Sequence, residues 1–163
     1  ERWSMGQTVK LMGRAIPEFF APFDIKSYTG ESVDEIWPFV SPLLDKAVIV
    51  SRKELSLDYI RGSLLTEHMQ LWIATENGEL IGTMVTELIQ HVGKKVCNVV
   101  ALDGSGIVNI WHRGARYFLA WLIANEVDEL EATCRNTVAD MLRSIGFEST
   151  ANVMTFFIKE QKV

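Results

Sequence analysis

The segment NVVALDGSGIVNIW, residues 98–111, decides how the rest of the chain folds. An apolar run, Val99 to Leu102, ends at the sequence Asp-Gly-Ser-Gly, and a helical pattern starts directly behind it. A strand that passes through glycines into a helix N-terminus can bind a phosphate group, because the first amides of a helix have no partner inside it. The same pattern is also typical of an ordinary turn with a helix cap. Composition does not separate these two interpretations.

The length and composition suit one globular domain with an extension. The chain has 163 residues, of which 48% are hydrophobic and 23% charged, and its formal net charge is −5. The acidic balance argues against a nucleic-acid binder. No run of about 18 apolar residues predicts a membrane span, and the N-terminus lacks the layout of a signal peptide. The two distant cysteines and three histidines show no metal-ligand spacing, so we expect no metal and a reduced, cytoplasmic protein.

The apolar residues of segment 1–30 do not recur at helical or strand spacing for long. We interpret this segment as an N-terminal arm. Three phenylalanines, Phe19, Phe20 and Phe23, argue against a free tail. We therefore expect this arm to pack on its own domain, on a protein partner or on a second copy. The remaining residues, 31–163, form the predicted domain.

The next segment, GESVDEIWPFVSPLLDKAV, predicts a helix. Ser32 with Glu35 matches a capping box, and apolar residues behind it recur at helical spacing. Pro38 and Pro42 lie inside the pattern, and each removes a backbone donor. We therefore expect a kink or two short helices.

Further along, the pattern alternates as in strands and then becomes helical again. Asn77-Gly78 predicts a type I′ turn between two antiparallel strands. In order, we predict a helix over 56–68, strands over about 71–75, 80–90 and 95–102, a long helix ending near Asn125, a strand over 129–134, a helix over 136–147 that stops at Gly146, and a strand over 151–160. The fold class is therefore α+β (mixed α/β), with a mostly antiparallel sheet and one crossover helix that makes one strand pair parallel.

The order of these elements resembles that of the GNAT N-acyltransferases. ENGELIGTMV, residues 76–85, looks like their hairpin between the second and third strands, and LDGSGIVNIW, residues 102–111, lies where their fourth strand leads into the pyrophosphate loop. NTVADMLRSIGFES, residues 136–149, is similar to their late N-x-x-A…G-F segment. The resemblance covers about residues 31–163. It implies the GNAT-like fold, in which a splayed pair of fourth and fifth strands is flanked by helices.

The small GNAT-like proteins of tailed bacteriophages resemble this chain most. They carry a glycine after the fourth strand, a tryptophan a few residues on, and a Cys-Arg or Gly-Arg before the last helix. Gly104, Trp111 and Cys134-Arg135 match these positions. The resemblance implies a phage-encoded protein of the host cytoplasm or the virion.

The resemblance implies acetyl-CoA or another acyl-CoA as cofactor. The backbone of the splayed strand and of the glycine loop would hold it, and the implied cofactor-binding residues are Val100, Leu102, Gly104, Ser105, Gly106, Ile107 and Asn136. Asp103 stands near the leading position of the family loop, where its carboxylate would repel phosphate. HRGA, residues 112–115, is a second candidate loop, but it lies inside the helical stripe. Asn136 also fits an ordinary N-cap.

Acyl transfer needs a base for the amine and an acid for the leaving thiolate. Glu87 and Glu131 are candidate bases, although either also fits a solvent-facing strand residue. Cys134 is a candidate nucleophile, although a small buried thiol is the common alternative. Many family members use a tyrosine as the acid, four residues before the glycine of the G-F ending. This chain has Leu142 at that position. The spacing of the tryptophans at 37, 72, 111 and 121 predicts that they face the hydrophobic core and do not form a substrate platform.

Two functions follow from these residues. The chain is an acyl-CoA-dependent N-acyltransferase, with a degenerate active site, that acts on a small-molecule or protein amine. Alternatively, it is a non-catalytic structural or assembly protein, such as a phage virion component, that docks on a partner through its aromatic arm.

Overall fold

The computed structural model describes residues 8–11, 14–17, 23–49, 55–104, 106–134 and 136–150. They belong to two compact units, residues 1–133 and 134–163, and each unit is described by itself. None of the helices in these ranges is both long and apolar enough to cross a membrane.

The first unit contains a two-stranded hairpin and a five-stranded sheet. The strands are β1 (Thr8–Leu11), β2 (Arg14–Pro17), β3 (Phe23–Tyr28), β4 (Met69–Glu76), β5 (Glu79–Gln90), β6 (Lys95–Gly104) and β7 (Glu129–Ala132). Strands β1 and β2 pair with each other, and the larger sheet has the order β3-β4-β5-β6-β7. Its neighbours are antiparallel except β6 and β7, which are parallel. The mixed α/β class predicted from the sequence is therefore confirmed.

Four α-helices accompany the strands. They are α1 (Val33–Ile49), α2 (Leu57–Leu65), α3 (Ile107–Ala124) and α4 (Asn136–Ser144), with a 3₁₀ turn over Gly30–Ser32 before α1. Helix α3 connects β6 to the parallel strand β7, as predicted. Helix α4 belongs to the second unit and ends at Ser144, two residues before Gly146, whose φ is +105°. The amide of Phe147 donates to the carbonyl of Leu142 (3.0 Å) across that glycine, which confirms the predicted stop.

The hairpin between β4 and β5 turns at the predicted residues. Asn77 and Gly78 have φ values of +48° and +79°. Two consecutive positive φ angles define the type I′ turn, whose twist matches that of the flanking strands. The local turn chemistry was therefore sufficient to place this hairpin. The strand predicted over 151–160 lies outside the described residues.

Helix α1 differs from its prediction because it is continuous through both prolines. Pro38 and Pro42 are four residues apart and exposed, so they share the solvent face of the helix. The carbonyl groups that lose their amide partners can therefore be hydrated. The predicted capping box is also absent: Ser32 lies in the 3₁₀ turn, and its hydroxyl donates to the carbonyl of Thr29 (2.8 Å).

The segment assigned above to an arm without regular structure contains strands. Phe23–Tyr28 forms the edge strand β3, paired with β4 from Phe23–Glu76 to Tyr28–Leu71. Ile25 contributes to the core on one face of the sheet and Tyr28 to the core on the other. A short strand with apolar residues on both faces shows only weak alternation, which explains why it was missed. The docking role of residues 1–30 stays a prediction.

The two faces of the sheet hold separate cores. Helices α1 and α2 cover one face, where the fully buried side chains are Val33, Ile36, Val40, Leu44, Ile60, Leu64, Leu71, Ile73 and Val85. Helix α3 covers the other face, and its cluster contains Trp72, Cys97, Phe118 and Leu122. The Trp72 ring meets Phe118 and Trp121 edge to face, with centroids 5.1 and 4.9 Å apart. Its indole N–H donates to the Thr86 hydroxyl (3.0 Å), so the polar atom of this buried ring is satisfied.

Gly114 allows α3 to approach the edge strand β3. A Cβ atom at this position would lie 2.0 Å from Cδ1 of Ile25 and 3.3 Å from a ring carbon of Phe23. Arg113 adds a second contact there, because its guanidinium lies 4.2 Å above the Phe23 ring and 2.9 Å from the Glu76 carboxylate. The absent side chain at Gly114 therefore sets the distance between helix and sheet.

We predict that Gly114→Ala destabilises the protein relative to Gly62→Ala. Both glycines lie inside helices, but Gly62 is exposed and has open space around its Cβ position. The gain in helix propensity, about 1 kcal/mol, is common to both variants. The difference between their free energies of unfolding should be about 1–3 kcal/mol, the cost of overpacking.

Urea unfolding measures this difference. Adding Ile25→Val to Gly114→Ala removes the overlapping Cδ1 atom and should recover part of the lost stability. Equal stabilisation by both alanines would show that α3 does not sit against β3 as described.

Candidate functional site

Strand β6 is paired on both edges over only part of its length. On one edge it pairs with β5 from Gln90–Lys95 to Gly82–Gly104. On the other edge it pairs with β7 from Val96–Glu129 to Val99–Ala132. Among the described residues, no strand pairs with this second edge beyond Val99. The carboxyl end of β6, from Val100 to Gly104, therefore has one open edge.

A register break coincides with the point where β7 ends. Thr86 pairs with Val99 and Val85 pairs with Ala101, so Val100 is an extra residue, which is a β-bulge. Before the bulge, Lys95 directs its backbone toward the β7 side, where its amide donates to the Asp128 carboxylate (2.8 Å). The extra residue reverses this alternation. Beyond the bulge, the backbone groups of Leu102 and Gly104 consequently point to the open edge.

The N-terminus of α3 follows β6 after a short turn. Gly106 precedes the helix in the left-handed conformation (φ +73°, ψ +38°), and no side chain caps it. The first bond within the helix runs from the Ile110 amide to the Gly106 carbonyl (3.0 Å). The amides of residues 107–109 have no partner inside the helix. The first turn also carries no acidic residue, so the positive end of the helix dipole is not neutralised there.

Two sequence interpretations of this region need correction. Strand β6 continues to Gly104, so Asp103 is a strand residue opposite Thr83 and does not lead the loop. The HRGA segment lies inside α3, and its glycine, Gly114, is buried against Ile25. Amides inside a helix already bond to carbonyls of the preceding turn. HRGA is therefore not a phosphate loop, and 106–109 is the segment with unpaired amides.

The two candidate bases lie in one row across three strands. Glu87 of β5 pairs with Asn98 of β6, and Asn98 pairs with Glu131 of β7. Paired residues direct their side chains to the same face of a sheet, which here is the face covered by α1 and α2. The side-chain amide of Asn98 donates to the Glu87 carboxylate (3.0 Å). Glu87 and Glu131 are separated by two strand spacings, roughly 9–10 Å.

The environments of the two carboxylates differ. Glu131 is exposed, and the Lys94 ammonium lies 3.8 Å from its carboxylate. Lys94 also bonds Glu129 at 2.6 Å, and this hydrogen bond is the main reason why the pKa of Lys94 is raised. Glu87 is partly buried, and its described polar contact is the neutral amide of Asn98. Among the described contacts, only Glu131 has a cation beside its carboxylate, so we favour Glu87 as the candidate base.

Other predicted site residues lie in the second unit or outside the described residues. Ser105 lies outside the described residues, and so does the side chain of Asn136, whose backbone begins α4. Cys134 and Asn136 belong to the second unit. The alternative interpretation of Cys134 as a buried thiol is wrong, because this residue is exposed. Leu142, at the position of the family's tyrosine, is buried. Among the described residues, no three His, Cys, Asp or Glu side chains are grouped as metal ligands would be.

Sequence reasoning missed Asn98, although the sequence carries a signal for it. The turn between β5 and β6 spans residues 91–94, and Gln90 pairs with Lys95. Counting outward from that pair brings Glu87 opposite Asn98 without any tertiary information. The bulge at Val100 has no comparable signal, because an extra residue in a strand does not change the local pattern of apolar residues.

The buried cysteine is Cys97, on the α3 face of β6. Burial raises its pKa to about 11, although a hydrogen bond with Thr86 acts in the opposite direction. The thiol therefore stays protonated at neutral pH. Because the thiolate is the nucleophilic form, Cys97 is not a nucleophile.

Comparison with solved structures identifies the architecture. An aminoglycoside acetyltransferase from an uncultured soil metagenomic sample, in complex with sisomicin, is 13% identical; the alignment covers 83% of this chain and 95% of that one, with a TM-score of 0.59. A predicted acetyltransferase from Clostridium acetobutylicum with acetyl-CoA is 15% identical over 85% and 98% of the two chains (TM-score 0.60). Aminoglycoside N-acetyltransferase AAC(6′)-Iy in complex with CoA is 16% identical over 83% and 93% (TM-score 0.60).

These similarities show the fold alone, which is the GNAT fold expected from the sequence. No protein-family model matches the sequence, and no curated protein does either. The chain shares the fold of acetyltransferases solved with CoA, acetyl-CoA or an aminoglycoside.

We predict that the free energy of unfolding falls as the pH rises from about 9 to about 11, because of Cys97. In the unfolded chain the thiol ionises near its ordinary pKa of 9.0, whereas in the folded protein it keeps its proton up to about 11. The folded state then binds more protons, so this one group lowers stability by about 1.4 kcal/mol per pH unit in that interval.

Urea unfolding of the wild type and of Cys97→Ala at several pH values measures the effect. The stability advantage of the wild type over Cys97→Ala should shrink as the pH rises, since other titrating groups are common to both. Cys134→Ala serves as the control and should keep the wild-type decline. An unchanged difference between wild type and Cys97→Ala would refute the assignment.

Proposed function

We propose that this protein is an acyl-CoA-dependent N-acyltransferase whose acceptor is a small-molecule or protein amine. The observation that carries the proposal is the combination of a bulge at Val100, an open β6 edge beyond it and an uncapped α3 N-terminus, all within one continuous segment. The GNAT fold of the surrounding sheet supports it, because solved proteins of this fold were crystallised with CoA and acetyl-CoA.

The residues present fit an acyl-CoA. We propose that the amides of Leu102 and Gly104 hold the extended, amide-containing arm of the cofactor along the open edge of β6, as a strand would be held. The amides following Gly106 bind its pyrophosphate, where unpaired donors and the helix dipole both favour an anion. When bound, the cofactor supplies the activated acyl group as a thioester. The backbone thus carries most of the recognition, which places little demand on side chains.

Glu87 is the proposed base. It lies in the row of Asn98, two residues along β6 from the bulge, which is about 7 Å. An amine acceptor arrives protonated at neutral pH, and a carboxylate near the open edge can take its proton before it attacks the thioester. The Asn98 amide holds the carboxylate in place through its 3.0 Å hydrogen bond. Glu131 lies at the far end of the same row, with the Lys94 ammonium 3.8 Å from its carboxylate, and we assign it no part in the proton transfer.

The proposed reaction also needs an acid for the leaving thiolate, and the resemblance implies a tyrosine in that role. Leu142 replaces the tyrosine implied by the resemblance, and its side chain is buried and apolar. This replacement favours the second candidate function, a GNAT-like module that binds acyl-CoA poorly or not at all and serves in assembly. A bacteriophage origin and a docking role for residues 1–30 belong to that candidate. The two candidates differ in a measurable way, since only the enzyme turns over acyl-CoA.

We predict that CoA raises the thermal stability of the wild type and that Gly106→Val weakens CoA binding about tenfold or more. A β-branched residue does not adopt a φ of +73° without strain, so the turn that presents the amides must change. CoA at about 100 times its dissociation constant should add roughly 2.7 kcal/mol to the free energy of unfolding.

Gly93→Val is the matched control, because Gly93 is exposed in the turn between β5 and β6 with open space at its Cβ position. Isothermal titration calorimetry with CoA on all three proteins gives the affinities. No stabilisation of the wild type by millimolar CoA would exclude the enzyme and leave the assembly protein.

We predict that Glu87→Gln lowers kcat by about 10²–10⁴-fold, the usual contribution of a general base. Mass spectrometry of acylated product, with acetyl-CoA and a panel of amines, measures the rate. The control is Glu79→Gln, at the other end of the same strand and exposed. An unchanged kcat in Glu87→Gln would remove Glu87 from the mechanism.

A further inference from the structure

Trp72 joins helix α3 to the strands that carry the candidate site. Its buried ring meets the rings of Phe118 and Trp121 of α3 edge to face, with centroids 5.1 and 4.9 Å apart. Its indole N–H donates to the hydroxyl of Thr86 on β5 (3.0 Å). One side chain of β4 thus contacts the helix through its ring and the neighbouring strand through its single polar atom.

The hydroxyl of Thr86 uses its whole hydrogen-bonding capacity. Thr86 is 0% exposed. Besides accepting from Trp72, its hydroxyl donates to the side-chain oxygen of Gln70 (3.0 Å) and forms a hydrogen bond with the Cys97 thiol. A hydroxyl has one proton and two acceptor positions, so the three bonds occupy all of them. Removal of the hydroxyl would leave buried polar partners unsatisfied.

This network lies where the open edge of β6 begins. Thr86 pairs with Val99, which is the last residue of β6 that pairs with β7. The extra residue of the bulge, Val100, follows directly. A continuous set of contacts therefore runs from α3 through Trp72 and Thr86 to the strand position just before the bulge.

The proposed cofactor site has two halves on the two elements that this network connects. The amides of Leu102 and Gly104 belong to β6, and the amides following Gly106 belong to α3. Glycine restricts the backbone least, so Gly104 and Gly106 leave the direction of α3 relative to β6 to be set by packing farther along the helix. A ligand held at two places gains affinity only while the two places keep the spacing that it spans.

We propose that Trp72 and Thr86 are positioning residues of the acyl-CoA site, which hold the N-terminus of α3 and the open edge of β6 at the spacing that one cofactor molecule spans. Both side chains are buried, so they act through the helix and the strand that they connect. The inference rests on the proposed function and adds to it the residues that join the two halves of the site.

Titrations with CoA and with its two halves test the proposal. Thr86→Val removes the hydroxyl but keeps the shape of the side chain. It should weaken CoA binding about tenfold or more in isothermal titration calorimetry. The affinities for pantetheine and for ADP, measured by NMR titration, should stay at their wild-type values, because each half needs only one set of amides. Thr86→Ser keeps the hydroxyl and should bind CoA as the wild type does.

A double-mutant cycle identifies the hydrogen bond as the link. Trp72→Phe removes the indole N–H and keeps an aromatic ring, so it should also weaken CoA binding. The double variant should bind no more weakly than the weaker single variant, since both substitutions break the same bond.

Thr83→Val is the matched control. Thr83 is another buried threonine of β5, and its hydroxyl donates to the backbone carbonyl of Trp72 (3.2 Å). This variant loses a buried hydrogen bond but keeps the one between the Trp72 ring and β5, so its CoA affinity should equal that of the wild type. Circular dichroism checks that each variant is folded.

The outcomes separate this inference from the function on which it rests. Equal CoA affinity of Thr86→Val and the wild type would overturn the positioning role, and so would a loss of pantetheine and ADP binding along with that of CoA. A wild type that binds neither CoA nor its halves would refute the proposed function and this inference with it.

Discussion

Strand β6 is the structural constraint on which the rest of the first unit depends. It is held by β5 along its whole length and by β7 over four residue pairs, and the two pairings impose different requirements. The antiparallel pairing needs only a short turn, whereas the parallel pairing needs a crossover that returns the chain across the sheet. Helix α3 is that crossover. Its close approach to the sheet at Gly114, its aromatic contacts with Trp72 and the start of β7 are consequences of this one connection.

The same constraint creates the open edge. Strand β7 ends at Ala132, and β6 carries its extra residue immediately beyond Val99. The bulge turns the backbone groups of Leu102 and Gly104 toward the side where no described strand pairs with them. A strand edge that no described strand pairs with leads into a helix N-terminus whose first amides have no partner inside the helix. An extended ligand with an anionic end matches this arrangement of donors better than a compact ligand does. The geometry therefore supports an acyl-CoA more strongly than it supports any particular amine.

Few side chains near the open edge of β6 are candidates for catalysis. Glu87, Asn98 and Glu131 share a row, but their environments differ: the Lys94 ammonium lies 3.8 Å from the Glu131 carboxylate, and the Asn98 amide donates to the Glu87 carboxylate. Leu142 stands where the resemblance implies an acid. Under the proposed function, a backbone that fits a thioester cofactor and an unfilled side-chain role would give slow catalysis, whereas the second candidate would use the same fold for assembly. The fold itself is common to both.

The sequence by itself determined the class of fold, the order of the elements from α1 to α4 and the local turns, because each depends on short-range periodicity or on one or two residues. Asn77-Gly78 and Gly146 required positive φ angles whatever the tertiary contacts, and helix α3 followed from the helical spacing of its apolar residues. Only the tertiary structure decided the continuity of α1 through Pro38 and Pro42, since that depends on which face meets water. It also decided the extra residue at Val100 and the row that joins Glu87 to Glu131. Those features arise from pairing between segments far apart in the chain, and no local pattern of residues records which partner strand ends first.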